Sequence, residues 1–242
     1  PLGNIIASNI SPSKPYGIGN WTEAQFTRAV RRGVSPNGYL YPAMPYTAYA
    51  RMSDADVPVL YVYLTQGVKP VDQPPAAKTA LPFPFGQRWL MAGWNMVYAG
   101  SEPMGASATA PGGSPRGEYL VKVLGHCGTC HTPRNVMMGE DGGRFLAGAA
   151  LGGWHAPNIT SDPVSGLGGW QPEEIMAYLR SGAAHGKAQA AGGMAEAVEH
   201  SFRYLGDDDL NAIATYLKTV PAIRDPRQQQ PAYAIAEPKS AD

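Results

Sequence analysis

The chain has two cysteines, and both fall in one short segment. Gly125-His126-Cys127-Gly128-Thr129-Cys130-His131-Thr132-Pro133 holds the pair, with a histidine directly behind the second thiol. Cys-x-x-Cys-His is the attachment motif for c-type haem. On one helical turn, thiols three positions apart reach the two vinyl groups along one edge of a porphyrin. The next residue then lies beneath the iron, which makes His131 the proximal ligand. A thioredoxin-like redox pair needs a βαβ context, and these flanks do not read as strands. A structural zinc site needs four ligands, and there is no second cysteine pair.

The far side of the iron needs its own ligand. A methionine there raises the potential relative to a second histidine and is typical of electron-transfer cytochromes c. Met194, in Gly192-Gly193-Met194-Ala195-Glu196, stands 63 positions after His131. It is expected on a loop ahead of the last helix. His185 and His200 compete for the position, and an ordinary core methionine is the plainer reading. Trp154, Trp170 and Asn158 carry N–H donors that suit haem propionates. Their alternative is loop packing, with Asn158 starting a turn ahead of Pro163. Arg134 either offsets propionate charge or is simply solvated. His126 reads as a surface or packing residue and His155 as a loop residue. No Ser-His-Asp arrangement, phosphate loop or carboxylate pair stands out, and Asp207–Asp209 reads as a helix start.

The elements that must hold these groups show caps and periodicity. Thr22-x-x-Gln25 opens a helix over 22–32 that Gly33 ends. Ser53-x-x-Asp56 caps another over 53–66, with Val57, Leu60, Val62 and Leu64 as its apolar positions. Residues 69–86 are proline-rich and read as a linker, and 88–98 as a short helix. Glu118–Leu124 leads into the haem motif as a helix. Pro172 begins a helix over 173–180. Asp207–Lys218 closes the pattern, with its charges placed as the macrodipole prefers. No strand run is evident, so the predicted class is all-α with long Gly/Pro-rich loops. Lys+Arg and Asp+Glu are both 19, so the net charge is zero, which argues against nucleic acid as a partner. There is no run of 18 apolar residues and no visible signal peptide. The chain does not begin with Met, which reads as processing or as a piece of something longer.

Self-comparison is more telling. Asn9-Ile10-Ser11 recurs as Asn158-Ile159-Thr160, and Gly17-Ile18-Gly19-Asn20-Trp21 as Gly166-Leu167-Gly168-Gly169-Trp170. Gly33 recurs as Gly182, all at an offset of 149. Asp56-Val57 and Tyr63-Leu64 match Asp209-Leu210 and Tyr216-Leu217 at an offset of 153. Met44 lies beside the counterpart of Met194. Residues 1–68 thus repeat 150–221 and form the C-terminal part of a first domain. A linker and interdomain segment covers 69–111, a complete second domain 112–221, and a further linker 222–242. The counterpart of the Cys-x-x-Cys-His motif would precede residue 1. Either the sequence is a piece of a longer polypeptide, which is the expectation here, or the first domain lost its haem.

Several segments together resemble a known family. They are Ser8–Pro12, Gly17–Trp21, Leu40-Tyr41-Pro42-Ala43-Met44-Pro45-Tyr46, Ser53–Val57, Cys127–Asn135, Ala156–Thr160, Gly166–Gly168 and Met194–Ser201. The chain is similar to the triple-haem cytochrome c subunit of membrane-bound bacterial alcohol, aldehyde, gluconate and fructose dehydrogenases. The resemblance implies tandem class I cytochrome c domains. One haem c is attached by this chain, and three are expected in the full polypeptide. It implies Met44 as distal ligand of haem one and Met194 as that of haem two. Partners would be a dehydrogenase catalytic subunit of flavin, pyrroloquinoline quinone or molybdenum type, and ubiquinone as acceptor. The setting would be the periplasmic side of the inner membrane, reached through a C-terminal segment not in this sequence. The rival readings are a haem enzyme of the di-haem peroxidase type and a docking subunit with reduced haem content.

Overall fold

The computed structural model describes residues 3–99 and 114–235. Two stretches of the expected linkers, 100–111 and 236–242, lie outside the described residues. The chain divides into two compact units, Pro1–Gly105 and Ala106–Asp242.

In the first unit, α1 (Glu23–Arg32) begins at a capping box. Thr22 Oγ1 accepts from the Gln25 N–H at 3.3 Å, and Gln25 Oε1 accepts from the Thr22 N–H at 2.9 Å. Its apolar face buries Phe26, Ala29 and Val30. Gly33 ends it at φ 63°, in the left-handed region. A two-residue pair, β1 (Val34–Ser35) with β2 (Gly38–Tyr39), follows. Then come α2 (Tyr46–Tyr49), α3 (Asp56–Val62), a π-type turn over Tyr63–Gly67, and α4 (Met91–Tyr98). Regular helix starts at Asp56, three residues later than the sequence predicts. Even so, Ser53 Oγ accepts from the Asp56 N–H at 3.1 Å and donates to its carboxylate at 2.7 Å. Of the four apolar positions expected here, Val57 is buried and Val62 is exposed.

Residues 69–80, expected as free linker, are strapped to the start of the chain. Asn9 Nδ2 donates to the Val71 carbonyl at 2.7 Å, Val71 N–H to Ser11 Oγ at 3.0 Å, and Ala80 N–H to the Asn4 carbonyl at 3.2 Å. The start of the tail is held the same way in the second unit. Asn158 Nδ2 donates to the Ile223 carbonyl at 2.6 Å, and Ile223 N–H to Thr160 Oγ1 at 3.2 Å.

In the second unit, α5 (Ser114–Tyr119) runs into a π-type turn over Leu120–Leu124, then α6 (Gly128–His131), β3 (Ala149–Leu151) and β4 (Trp154–Ala156). After these come α7 (Pro172–Ser181), β5 (Ala183–Ala184) paired with β6 (Ala188–Gln189), α8 (Gly192–His200), α9 (Asp207–Thr219) and α10 (Ala232–Ile235). Helices α5 and α9 cross in contact: a Cβ on Gly117 would lie 2.0 Å from the Ala212 carbonyl oxygen. Arg116 and Asp209 join them through two bonds of 2.8 and 2.9 Å. The core between α5, α7 and α9 holds Val121, Leu146, Ile175, Leu179, Leu210 and Ile213.

The strand pairs correct the expectation of no strands. Each has two or three residues a side, too few for an alternating pattern to register in sequence. One signal was readable: Leu151-Gly152-Gly153-Trp154 is a two-glycine hairpin turn.

The repeat holds at the level of single hydrogen bonds. In the first unit, Gly17 and Gly19 N–H donate to the Ser13 carbonyl, Ile18 to Ser11 and Trp21 to Ile18. In the second, Gly166 and Gly168 donate to Asp162, Leu167 to Thr160 and Trp170 to Leu167. In each unit a later helix, α3 in the first and α9 in the second, holds the loop's tryptophan carbonyl. Tyr61 Oη donates to Trp21 O at 2.7 Å, while Lys218 Nζ donates to Trp170 O at 2.8 Å and to two neighbouring carbonyls.

Candidate haem-binding site

The motif folds as one turn. Cys130 and His131 N–H both donate to the Cys127 carbonyl, at 3.3 and 2.9 Å, and Thr132 N–H donates to Gly128 at 2.9 Å. This is the geometry that brings two thiols and an imidazole to one side. Neither thiol is in a disulfide. Burial pushes the Cys127 thiol up to about 12. Burial also raises Cys130, against the pull of the nearby Arg134 guanidinium.

His131 is held by the other side of the site. Its Nδ1 lies 2.7 Å from the Pro157 carbonyl oxygen, which accepts only if that nitrogen carries the proton. The tautomer this selects leaves Nε2 as the coordinating nitrogen. Tying the outer ring nitrogen to a carbonyl is how metal-ligating histidines are usually oriented. Burial lowers the ring's affinity for a second proton, the Pro157 bond opposes this, and His155 lowers it further. Thr132 and Leu146 anchor the turn: the Leu146 N–H donates to the fully buried Thr132 Oγ1 at 3.0 Å. Gly148 N–H closes onto the His131 carbonyl at 2.8 Å. Among the described residues, His126, Met138 and Leu146 are the non-glycine residues with positive φ, at 36°, 63° and 62°. His126 immediately precedes the motif, and Met138 and Leu146 lie in the loop between it and Gly148. Strain of this kind gathers where a site over-determines its backbone.

Met194 is half-buried in the first turn of α8, not on a loop as expected, and packs against the core with Cys127, Phe145, Ile159, Leu167 and Phe202. His185 and His200 are both exposed. Trp154 lies on β4 with its ring against Gly192, where a Cβ would come within 2.8 Å of the indole. Trp170 is a buried core residue, edge-on to Tyr178 with ring centres 6.1 Å apart. Asn158 shows the packing half of its two expected roles. Its Oδ1 accepts from Thr160 N–H and Oγ1 at 2.8 and 2.7 Å, and its amide holds Ile223. Arg134 donates to the Thr129 carbonyl at 2.8 Å and lies 3.8 Å from Glu140. In the first unit, Met44 is half-buried against Tyr46, Trp94 and Ala99, together with Leu40, Met91 and Tyr98. The sequence reading missed Pro157, Phe145 and Gly192. Their roles depend on residues brought close by folding, and only Gly192, in a Gly-Gly pair before Met194, carried a local signal.

The residues fit a c-type haem. They supply two unpaired thiols on one turn, an imidazole oriented through its outer nitrogen, and a half-buried thioether, Met194, packed against the apolar core. Among the described residues, no three His, Cys, Asp or Glu side chains cluster to hold a bare metal ion.

No family model matches the chain. It is 50% identical over 225 residues to the fructose dehydrogenase cytochrome subunit of Gluconobacter japonicus, which covers 92% of this chain and 46% of that protein. It is 44% identical over 235 residues to the gluconate 2-dehydrogenase cytochrome c subunit of Pantoea cypripedii, covering 92% and 52%. It is also 40% identical over 225 residues to a diheme cytochrome c-type protein of Cereibacter sphaeroides, covering 92% and 73%. The chain spans about half the length of the dehydrogenase-complex relatives. With the motif turn and the oriented histidine in place, 40% identity to a diheme cytochrome c-type protein, 73% of which this chain covers, shows that the chain belongs to the c-type cytochromes.

Proposed function

We propose that this chain carries single electrons from a partner dehydrogenase through covalently bound haem c. The observation that carries the reading is the His131 Nδ1–Pro157 carbonyl bond of 2.7 Å inside a Cys-x-x-Cys-His turn with two free thiols. Cys127 and Cys130 form the thioethers, His131 is the proximal ligand and Met194 the distal one. Bound haem supplies the one-electron ferric–ferrous couple. The chain's own contribution is to fix the ligand tautomer, offer a soft sulfur that favours the ferrous state, and wall the site with apolar side chains. Arg134 is the cation beside one attachment thiol, and Trp154, Trp170 and Asn158 shape the loops around the porphyrin edge.

The two units are read as tandem cytochrome c domains, with Met44 as distal ligand of a second haem whose attachment motif is not in this sequence. The whole polypeptide would then hold three haems. It would accept electrons from a flavin, pyrroloquinoline quinone or molybdenum subunit and deliver them to ubiquinone on the periplasmic side of the inner membrane. Among the described residues no helix is long and apolar enough to cross a membrane. A peroxidase-type haem enzyme needs an open iron position, and Met194, packed against the apolar core, weighs against it.

The test is chemical. Haem should stay with the polypeptide through acid–acetone extraction and should be lost from the Cys127→Ser/Cys130→Ser variant. Met194→Ala should lower the midpoint potential and abolish the Met–iron charge-transfer band. Haem extracted from the parent chain, or a band that survives Met194→Ala, would overturn the assignment.

A further inference from the structure

We propose that Trp154 is the positioning residue of the distal ligand, and that strand β4 with the two residues after it sets the ligand spacing on both faces of the haem. The inference rests on Met194 being that ligand.

Three observations meet on this segment. At its start, the Trp154 indole covers Gly192. A Cβ there would lie 2.8 Å from Cε2, 2.9 Å from Cδ2 and 3.1 Å from Cζ2, so the ring lies flush on the backbone two residues before Met194. Gly192 has φ 52° and is the first residue of α8, so it fixes the direction in which that helix leaves the loop. Any side chain at this position would displace the ring or the helix. Three residues after Trp154, the Pro157 carbonyl holds His131 Nδ1 at 2.7 Å. Beyond that, Asn158 ties the segment to Ile223 at 2.6 Å. One extended segment therefore touches the backbone that presents the distal thioether and bonds the proximal imidazole. Its β pairing, Leu151 with Trp154 and Ala149 with Ala156, holds the span between the two contacts to the rise of a strand.

Trp154 does not belong to the second unit's buried core cluster. The first unit lacks the pair: Ile5 stands at the counterpart of Trp154 at the offset of 149, and Pro42 stands two residues before Met44 as Gly192 does before Met194. The device thus belongs to the second unit and not to the repeat as a whole.

A positioning role and a propionate-donor role for this indole make opposite predictions. Trp154→Phe keeps a ring over Gly192 and removes the N–H, whereas Trp154→Ala removes both. In the haem-loaded chain, Trp154→Ala should weaken the Met–iron charge-transfer band and let the ferrous protein bind carbon monoxide about tenfold more tightly, the usual scale for loss of a group that orients a metal ligand. Trp154→Phe should stay close to the parent in both readouts. Gly192→Ala, which strains the same contact from the other side, should reproduce the Trp154→Ala phenotype. Because the ring is mostly outside the core, far-ultraviolet circular dichroism should show Trp154→Ala folded; if it is not, the Phe and Gly192→Ala variants carry the test alone. Parent-like carbon monoxide binding in both Trp154→Ala and Gly192→Ala would overturn the proposal. So would a Phe variant as impaired as the Ala variant, which would assign the indole N–H instead. A Met–iron band that persists in Met194→Ala would show a different failure, that of the distal-ligand reading itself.

Discussion

A single carboxylate shows how the repeat was specialised. The Asp162 carbonyl accepts from Gly166 and Gly168 N–H, as the Ser13 carbonyl does from Gly17 and Gly19 in the first unit. The side chains differ. Asp162 Oδ1 accepts from Ser165 N–H at 2.6 Å, Val164 N–H at 3.0 Å and the Arg224 guanidinium at 3.2 Å. Burial pushes this carboxyl up, but the two backbone donors and Arg224 outweigh it and hold it below its ordinary value. A depressed folded-state value means the stabilisation is complete above the unfolded carboxylate pKa of about 3.9. It is lost as pH falls through the folded-state value. Asp162→Asn keeps an oxygen for the backbone donors but removes the charge. It should therefore lower stability at neutral pH and flatten the acid limb of the second unit's stability as pH falls below the ordinary carboxylate range. Urea unfolding at a series of pH values, followed through the haem absorbance, measures both effects. An acid limb as steep as the parent's would remove Asp162 from the account. The serine at the equivalent position predicts no such limb from the first-unit loop.

At the scale of elements, caps carried more of the fold than periodicity did. Helix α1 starts and stops where Thr22-x-x-Gln25 and Gly33 place it, and α7 starts at the expected Pro172 but runs on to Ser181, one residue past the expected end. A cap is a local contract between residues a few positions apart, so it survives in the sequence. What did not survive is what needs a distant partner. Helix α8 was missed because Gly192-Gly193 reads as loop until Trp154 covers it, and α4 became part of the first unit through Trp94 packing on Tyr46. One element-level constraint that combines contact with backbone conformation is Gly33. A Cβ there would sit 2.6 Å from the ring of Tyr46, a fully buried side chain whose hydroxyl donates to Asn95 Oδ1 at 2.7 Å. The ring cannot yield without breaking that bond, and φ 63° is itself unfavourable for alanine. Gly33→Ala should cost about 2–3 kcal/mol. Gly186→Ala, at φ 69° with nothing within 4 Å of its Cβ, is its control for left-handed backbone strain alone and should cost less. Chemical denaturation of both variants tests this, and equal losses would mean the Tyr46 contact is not what demands glycine.

At the scale of the whole molecule, the repeat was legible as matched dipeptides, but where each unit ends was not. Proline content marked 69–86 and 222–242 as linkers, yet the first residues of both are hydrogen-bonded into the unit before them, through Asn9 with Val71 and Asn158 with Ile223. The tail reaches further: Lys187 Nζ lies 3.8 Å from the centre of the Tyr233 ring, and Tyr233 packs on the second unit's core. Among the described residues, that core is drawn from residues between Leu120 and Tyr233. A unit that supplies its own core and closes its own loops should fold without its neighbour. A chain of residues 106–235, matured with haem, is therefore expected to gain the mass of one covalent haem, to keep the Met–iron band, and to unfold within about 0.5 kcal/mol of the second-unit transition in the longer chain. A chain ending at Val220 tests the boundary itself. It retains the last long helix but leaves Asn158 Nδ2 and Thr160 Oγ1 without their Ile223 partners, at a cost of roughly 1–3 kcal/mol for the buried amide alone. If that shorter chain were as stable as the one ending at 235, the tail would be a tether after all. If it were weaker by that margin, the unit ends past the first residues of the proline-rich tail, where hydrogen bonding and not composition puts it.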